Sequence, residues 1–175
     1  RSPPRTQFVT GCAALLLAAY PAYKTLRLAR PLLRPIAIEN TIEYREARWF
    51  DANLPGRRVF APGSAGFFLN AFTGTPQFAG GFDPGVLNPN WALVQYQILS
   101  GAGSGEKEGE VALTWLRAFG VDAVAVSGPE SKETFKPFRN PRKFDGLLPE
   151  LWRDNDDVIY AVPRRSSSLA HVIRR

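Results

Sequence analysis

The chain has few of the residue types that most often carry catalysis or bind metals. It contains no methionine, one cysteine (Cys12) and one histidine (His171) among 175 residues. A single cysteine excludes a disulfide within the chain and a cysteine-based zinc site. A single histidine disfavours a histidine-ligated metal and a Ser/His/Asp triad, and the lack of a nucleophile elbow argues against a free-standing hydrolase. We therefore expect no cofactor, no metal and no catalytic residue in this chain.

The net charge of +6 comes entirely from the first 35 positions, which contain six basic residues and no acidic residue. From residue 36 onward basic and acidic residues balance, so the chain offers no basic surface for nucleic acid. Basic residues beside an apolar helix are typical of contact with anionic lipid head groups. We predict such a membrane-surface role for Lys24, Arg27, Arg30 and Arg34.

An apolar run, Phe8–Tyr23, lies between these basic residues and the N-terminus. As a helix it would be about 24 Å long, slightly shorter than a hydrocarbon core of about 30 Å. We predict a transmembrane helix with a basic juxtamembrane segment over residues 1–35, and a soluble domain over 36–175. The alternative is a buried helix of a soluble domain. The absence of an initiator methionine leads us to expect a fragment of a longer protein.

The remainder of the chain predicts a small layered α/β domain with a mixed sheet and long loops. A helix that ends at Gly120 and is followed at once by the apolar strand VDAVAV is typical of such layers. Asn40, followed by Glu43, is the expected N-cap of the first helix. Helices are predicted over 42–54, 65–72, 91–99 and 106–119, and strands over 57–61, 121–126, 151–153, 158–162 and 168–173.

The loop between the second and third of these helices is the most site-like stretch. It offers glycines for close backbone approach, aromatic faces for stacking on a sugar ring, and polar side chains for its hydroxyls. The alternative is a loop packed on its own sheet, with Asp and Asn forming turns. The predicted binding residues are Phe82, Asp83, Asn88, Asn90 and Trp91.

Other polar clusters have simpler interpretations. GAGSG at 101–105 precedes a helix, but the glutamates that follow would repel a phosphate and no lysine stands in the Walker position. Two sets of paired carboxylates could serve glycoside chemistry, but the first begins a helix and the second forms a hairpin turn. The sets are Glu39, Glu43 and Glu46, and Asp154, Asp156 and Asp157. Arg139, Arg142 and Lys143 could hold a phosphate, although a solvated loop is the simpler interpretation.

Three longer stretches carry a resemblance to a known group: FFLNAFTGTPQFAGGFD, WLRAFGVDAVAVSGP and NPRKFDGLLPELW. They resemble the C-terminal extracytoplasmic region of polytopic bacterial membrane proteins of the YfhO-like group. That group includes proteins described as 6-pyruvoyl-tetrahydropterin synthase related, and is similar to GT-C-type glycosyltransferases. Trp49-Phe50 and Phe119-Gly120-Val121 match its aromatic pair and its glycine-to-strand element.

The resemblance implies a bacterial inner-membrane protein whose soluble domain is extracytoplasmic and whose other transmembrane helices are missing here. The catalytic acid of GT-C enzymes lies in an early loop, so no catalytic residue can be carried over. We expect an accessory domain that assists binding of a polyprenyl-phosphate sugar or a glycan acceptor in envelope glycan assembly. The rival expectation is a non-catalytic structural or protein-interaction domain with an exposed apolar patch away from residues 78–91.

Overall fold

The computed structural model describes residues 4–30, 35–79 and 89–164. The chain divides into two compact units, residues 1–37 and residues 38–175. The predicted binding residues Phe82, Asp83 and Asn88 lie outside the described residues, as do Arg34 and the predicted strand over 168–173.

The first unit contains one helix, α1 (Pro4–Ala29), which includes the apolar run. Within the described residues, no helix combines the length and the apolar character needed to cross a membrane. The predicted transmembrane helix is therefore unsupported. The reason is compositional: the apolar run is short and rich in alanine, and extending the helix on either side adds Arg5, Lys24 and Arg27 instead of further apolar residues.

The second unit is built on a mixed four-stranded sheet, as the sequence predicted. Its strands are β1 (Val59–Phe60), β2 (Ala123–Ser127), β3 (Glu150–Asp154) and β4 (Asp157–Ala161). Their order across the sheet is β1-β2-β4-β3. β1 and β2 are parallel, whereas β4 runs antiparallel to both β2 and β3. The predicted hairpin is confirmed, and Asn155 adopts φ 56° at its turn.

Helices cover both faces of this sheet. On one face α2 (Ile42–Asn53) and α3 (Ser64–Phe72) bury Val59, Ala123 and Ala125. On the other face α4 (Pro89–Ser100) and α5 (Glu108–Ala118) bury Phe60 and Val124. Every residue of β2 is buried because this strand has a helical layer on each side. The unit is thus a three-layer α/β/α domain.

Two local predictions differ from the structure. The N-cap of α2 is Thr41, whose hydroxyl accepts the backbone N–H of Tyr44; Asn40 instead ends a short 3₁₀ turn, Ile38–Asn40. The strand β2 begins later than predicted because the backbone N–H of Val121 donates to Leu116, which keeps Val121 in the turn that closes α5. The long loop after β2 includes a 3₁₀ turn, Pro141–Phe144.

Candidate functional site

Asn90 and Trp91, the two described members of the predicted sugar-binding loop, lie in the first turn of α4. Asn90 is exposed, and Trp91 is half-buried. The Trp91 ring packs edge-to-face on Phe78, with ring centroids 5.9 Å apart, and lies against the apolar core. These contacts of the Trp91 ring are packing contacts with the core.

A polar cleft of about 180 Å³ opens where β2 ends. In open α/β sheets, ligands bind in crevices outside the carboxyl ends of the strands, and this cleft has that position. Val126 and Val158 give it an apolar part, and Gly128 and Pro129, at the start of the loop after β2, form the part that we call the cleft wall. Its remaining lining residues, mostly polar, are Pro141, Arg142, Asp145, Arg153, Asp156 and Tyr160.

Tyr160 and Asp145 form the most tightly held polar pair of the cleft. The Tyr160 hydroxyl donates to Asp145 Oδ1 at 2.5 Å. Burial, followed by this hydrogen bond and the charge of Asp145, raises the pKa of Tyr160 above its usual value. Tyr160 is therefore a neutral donor across the physiological range, and it fixes the orientation of the Asp145 carboxylate.

Gly128 and Asp156 hold the wall of the cleft. Asp156 Oδ2 accepts the backbone N–H of Glu130 at 2.8 Å, and the backbone N–H of Gly128 donates to the Asp156 carbonyl at 2.8 Å. A Cβ at position 128 would lie 2.2 Å from Asp156 Oδ2. Only glycine lets the aspartate carboxylate approach the backbone this closely, so the wall depends on Gly128.

Two guanidinium groups line the same cleft but are held differently. Arg153 forms an ion pair with Glu150, with Nη2 and Oε2 2.6 Å apart. Arg142 is exposed and is the second residue of the 3₁₀ turn Pro141–Phe144. Its backbone N–H donates to Asn140 Oδ1. No described residue accepts a hydrogen bond from the Arg142 guanidinium, so this group can donate to a ligand.

Beneath the cleft wall lies a buried carboxyl network. We use this name for four acidic side chains and the three serines that they contact: Glu43, Glu46, Glu133 and Asp157 with Ser64, Ser127 and Ser131. It joins α2, the start of α3, the end of β2, the loop after β2 and β4. Ser127 and Asp157 belong to this network, whereas their chain neighbours Gly128 and Asp156 line the cleft.

The Ser64 hydroxyl occupies the centre of the network. Its Oγ lies 2.9 Å from Glu43 Oε1 and 3.1 Å from Glu133 Oε1. Glu133 Oε1 also accepts the backbone N–H of Ala65 at 2.9 Å, which caps the start of α3. Ser64 follows a strand and begins a helix, yet only 6% of it is exposed. It is a structural hydroxyl, because a substrate would not reach it.

Burial dominates the acid–base properties of the network. It raises the pKa of Glu46 well above its usual value, an effect that the charges of Glu133, Asp157 and Glu43 increase and that of Arg45 opposes. Burial also raises the pKa of Glu133, against the hydrogen bonds from Ser127, the Ala65 N–H and Ser64. The pKa of Asp157 is raised for the same reason. Among the described residues, no group of three or more His, Cys, Asp or Glu is arranged to hold a metal ion.

The side chain of Glu108, the first residue of α5, packs against the glycine-rich loop 101–105. A Cβ on Gly101 would lie 2.5 Å from the Glu108 side chain, which occupies the space above the loop. The nearby Lys143 is half-buried; its ammonium donates to the Ile98 carbonyl at the end of α4 and lies 5.1 Å from the Phe138 ring centroid. Burial lowers the pKa of Lys143 to about 8. The predicted solvated loop is thus partly packed.

Sequence reasoning did not identify the cleft, although its residues gave signals. Arg142 was considered as an anion ligand and Asp156 as part of a hairpin turn, but nothing in the sequence brought the two together. The signal that could have indicated it was the Gly128-Pro129 turn directly after a buried strand, because ligands of α/β domains bind at the carboxyl ends of strands. Comparisons with protein-family models, with curated proteins and with solved structures found no match for this chain.

Proposed function

We propose that this chain is an accessory, non-catalytic domain that binds a sugar residue in the polar cleft and assists envelope glycan assembly at a membrane surface. The observation that carries the proposal is the cleft itself. Hydrogen-bond donors and acceptors line it together with the apolar Val126 and Val158, at the end of β2, where ligands of α/β domains bind.

The chemistry of the lining favours a hydroxylated ligand over a bare anion. Asp145 and Asp156 would repel a phosphate, whereas a sugar hydroxyl both donates and accepts and can bridge a carboxylate and a guanidinium. Arg142 supplies donors with no partner among the described residues, and Asp145 has a second oxygen free of the bond to Tyr160.

The volume of the cleft also suits one sugar ring. At about 180 Å³ it is smaller than the pockets of about 300–1,000 Å³ that hold drug-sized ligands, so it would take a small ligand. A larger glycan would extend out of the cleft past Arg142, which is exposed. The resemblance of the sequence to the extracytoplasmic region of YfhO-like proteins supports the same class of ligand: a lipid-linked sugar or its acceptor.

A contact with the bilayer surface is the second part of the proposal. Along α1, large apolar side chains including Leu15, Tyr20 and Leu26 are exposed. Lys24, Arg27 and Arg30 are exposed as well, and no acidic residue stands among the first 35. Apolar surface combined with basic charge is what binds helices to the head-group region of anionic membranes. The extracytoplasmic location and the bacterial inner membrane remain part of this proposal.

The sugar site is tested by titrating the full chain with glucose, galactose, N-acetylglucosamine and glucuronate. We expect one or more of them to shift the backbone amide signals of Gly128 and Asp145 with a Kd of about 1 mM. Arg142→Ala should weaken that binding about 10- to 100-fold, because it removes a charge-assisted hydrogen bond of about 1.5–3 kcal/mol. Arg57→Ala, which removes an exposed arginine elsewhere, is the matched control. Equal affinities for the two variants would refute the site, as would unchanged spectra with all four sugars.

The membrane contact is tested by sedimentation with vesicles containing anionic lipid. Replacing Lys24, Arg27 and Arg30 by glutamine should weaken partitioning roughly 100-fold, at about 1 kcal/mol per basic residue near the surface. The control carries the same charge change on the second unit: Arg57→Gln, Lys107→Gln and Lys132→Gln, all exposed. Partitioning that falls equally in both triple variants would indicate attraction by net charge alone and contradict a specific role of α1.

One observation favours the rival function of protein interaction. Phe67 and Phe68 on α3 are 52% and 49% exposed, and Phe68 stacks on Phe72 with ring centroids 6.3 Å apart. Large exposed aromatic groups on a folded domain mark interaction surfaces. If the titration above finds no sugar, this α3 surface becomes the better-supported site.

A further inference from the structure

The carboxyl network described above has more acidic groups than its surroundings can neutralise. Glu46 is 1% exposed, Asp157 3% and Glu133 5%. The charged groups that face the network are Arg45 from α2, and Asp154 and Asp156 from the β3–β4 hairpin. Arg45 is itself paired to Asp154, with Nη2 and Oδ2 2.6 Å apart.

The nearby cation of the loop after β2 is also engaged elsewhere, because Lys136 donates to the backbone carbonyls of Pro129 and Ser131. The single charge of Arg45 cannot neutralise Asp154 and all four carboxyls of the network, and a buried carboxylate without a partner is costly.

The hydrogen-bond geometry also favours a bound proton. Ser64 has one hydroxyl hydrogen, yet its Oγ is within hydrogen-bonding distance of both Glu43 and Glu133. Two full hydrogen bonds form when one carboxyl is protonated and donates to Ser64 Oγ, whereas two carboxylates must share the one hydroxyl hydrogen. Independently, Glu46 Oε1 is buried and has no hydrogen-bond partner. A protonated Glu46 would avoid leaving a charged oxygen unpaired in the interior.

The network also anchors the loop that builds the cleft wall. Glu133 contacts Ser64 and the Ala65 N–H from inside, and the backbone N–H of Phe135 donates to Ser64 Oγ at 3.4 Å. From outside, Asp156 holds the backbone of Glu130. Repulsion within the network would act on the inner anchors first, because these join the loop to α2 and α3.

We propose that the domain folds with at least one proton bound in the carboxyl network, and that loss of this proton at alkaline pH releases residues 128–137 from α2 and α3 and loosens the cleft wall. The proton is the ligand of this buried site. The proposal concerns the fold, so it stands whether or not the cleft binds a sugar.

The direction of the pH dependence follows from linkage. The pKa of Glu46 is raised in the folded chain above its ordinary value of 4.5, so the folded form binds more protons than the unfolded form once the pH exceeds that value. The stabilisation is complete below the ordinary carboxyl pKa and is lost as the pH rises through the raised values. For each proton released on unfolding, the unfolding constant should increase up to about tenfold per pH unit.

The test is urea unfolding of the full chain from about pH 5 to about pH 9, with Glu46→Gln as the variant that imitates the protonated acid. We expect the stability of the natural chain to fall with pH, and the variant to show a shallower dependence and a higher urea midpoint at pH 9. Glu130→Gln is the matched control, because it makes the same change at an exposed acid on the loop after β2; its pH profile should follow that of the natural chain. Parallel pH profiles for the natural chain and Glu46→Gln would overturn the proposal.

Two measurements on the natural chain keep the proposal testable if the variant does not fold. Infrared spectroscopy should detect the carbonyl stretch of a protonated carboxyl at neutral pH, which disappears on alkaline titration. Hydrogen exchange, corrected for the intrinsic effect of pH, should accelerate for the amides of Ser131, Glu133 and Phe135 before those of Val124 and Val126 in β2. Absence of the carbonyl band at neutral pH would overturn the bound proton. Simultaneous exchange of the loop and β2 would overturn the local release.

Discussion

Replacement of Phe60 by alanine is expected to lower the free energy of unfolding by about 3–5 kcal/mol, as for other buried aromatic residues. β1 has only two residues, and Phe60 is the one that faces α4 and α5. It has no exposed surface, and its ring centroid lies 5.5 Å from that of Phe78 and 6.4 Å from that of Phe138. Truncation would leave a cavity bordered by the sheet and by two aromatic rings that have lost their partner.

The matched control is Phe67→Ala on α3, where the same atoms are removed from a side chain that is 52% exposed. We expect a change within about 0.5–1 kcal/mol, since surface substitutions rarely exceed this. Chemical denaturation of both variants gives the comparison. A domain of ordinary stability has about 5–15 kcal/mol in total, so the Phe60 variant should lose a large fraction of it. Equal losses in the two variants would contradict the assignment of Phe60 to the core.

The layered fold could be predicted because its signals are local. The face of α5, Gly120 and the apolar strand after it lie within twenty or so consecutive residues, and each feature supports the next. The hairpin of β3 and β4 has the same property, since polar turn residues separate two short apolar segments. These elements were confirmed with small shifts of their ends.

The cleft could not be predicted because its residues converge through the order of the strands. β4 lies between β2 and β3 in the sheet, which pairs Val126 with Val158 and Val124 with Tyr160, and the Tyr160 hydroxyl reaches Asp145. Sequence spacing indicates that β3 and β4 form a hairpin but not which of them pairs with β2. Once this order is known, the lining residues that β2, β3 and β4 contribute follow, whereas Arg142 and Asp145 come from the loop after β2.

The buried position of Glu46 was missed for a different reason. An acidic residue near the start of a helix is favourable at the surface, and that interpretation accounted for Glu43 and Glu46 equally well. However, Glu46 lies one turn before Phe50 and next to Ala47, both of which are fully buried. The helical period therefore placed an acid on the inward face, and an acid in that position is the signal to look for buried polar networks.

Replacement of Gly63 by alanine is the second substitution expected to have a large effect, at least about 3 kcal/mol. Gly63 precedes α3 with φ 80° and ψ −153°, a conformation that only glycine adopts readily. An added Cβ would lie 2.4 Å from both Glu133 Oε1 and the Phe135 carbonyl oxygen, which also accepts the backbone N–H of Ser64. The methyl group would thus push apart the start of α3 and the loop that contains Glu133.

Gly56→Ala is the control without steric contact, because Gly56 has a similar φ of 68° but no atom within 4 Å of an added Cβ. It should cost about 1 kcal/mol, since the strain of a left-handed alanine is partly offset by the reduced entropy of the unfolded chain. The difference between the variants, measured by urea unfolding, then reports the steric contact together with the added strain of ψ −153° at Gly63. The steric contact acts on Glu133, so Gly63→Ala should also speed hydrogen exchange at Glu133 and Phe135, while Gly56→Ala leaves both amides unchanged. Similar losses of stability in the two variants would mean that the loop after β2 yields easily, and that Gly63 is required for its backbone conformation and not for the close approach of Glu133.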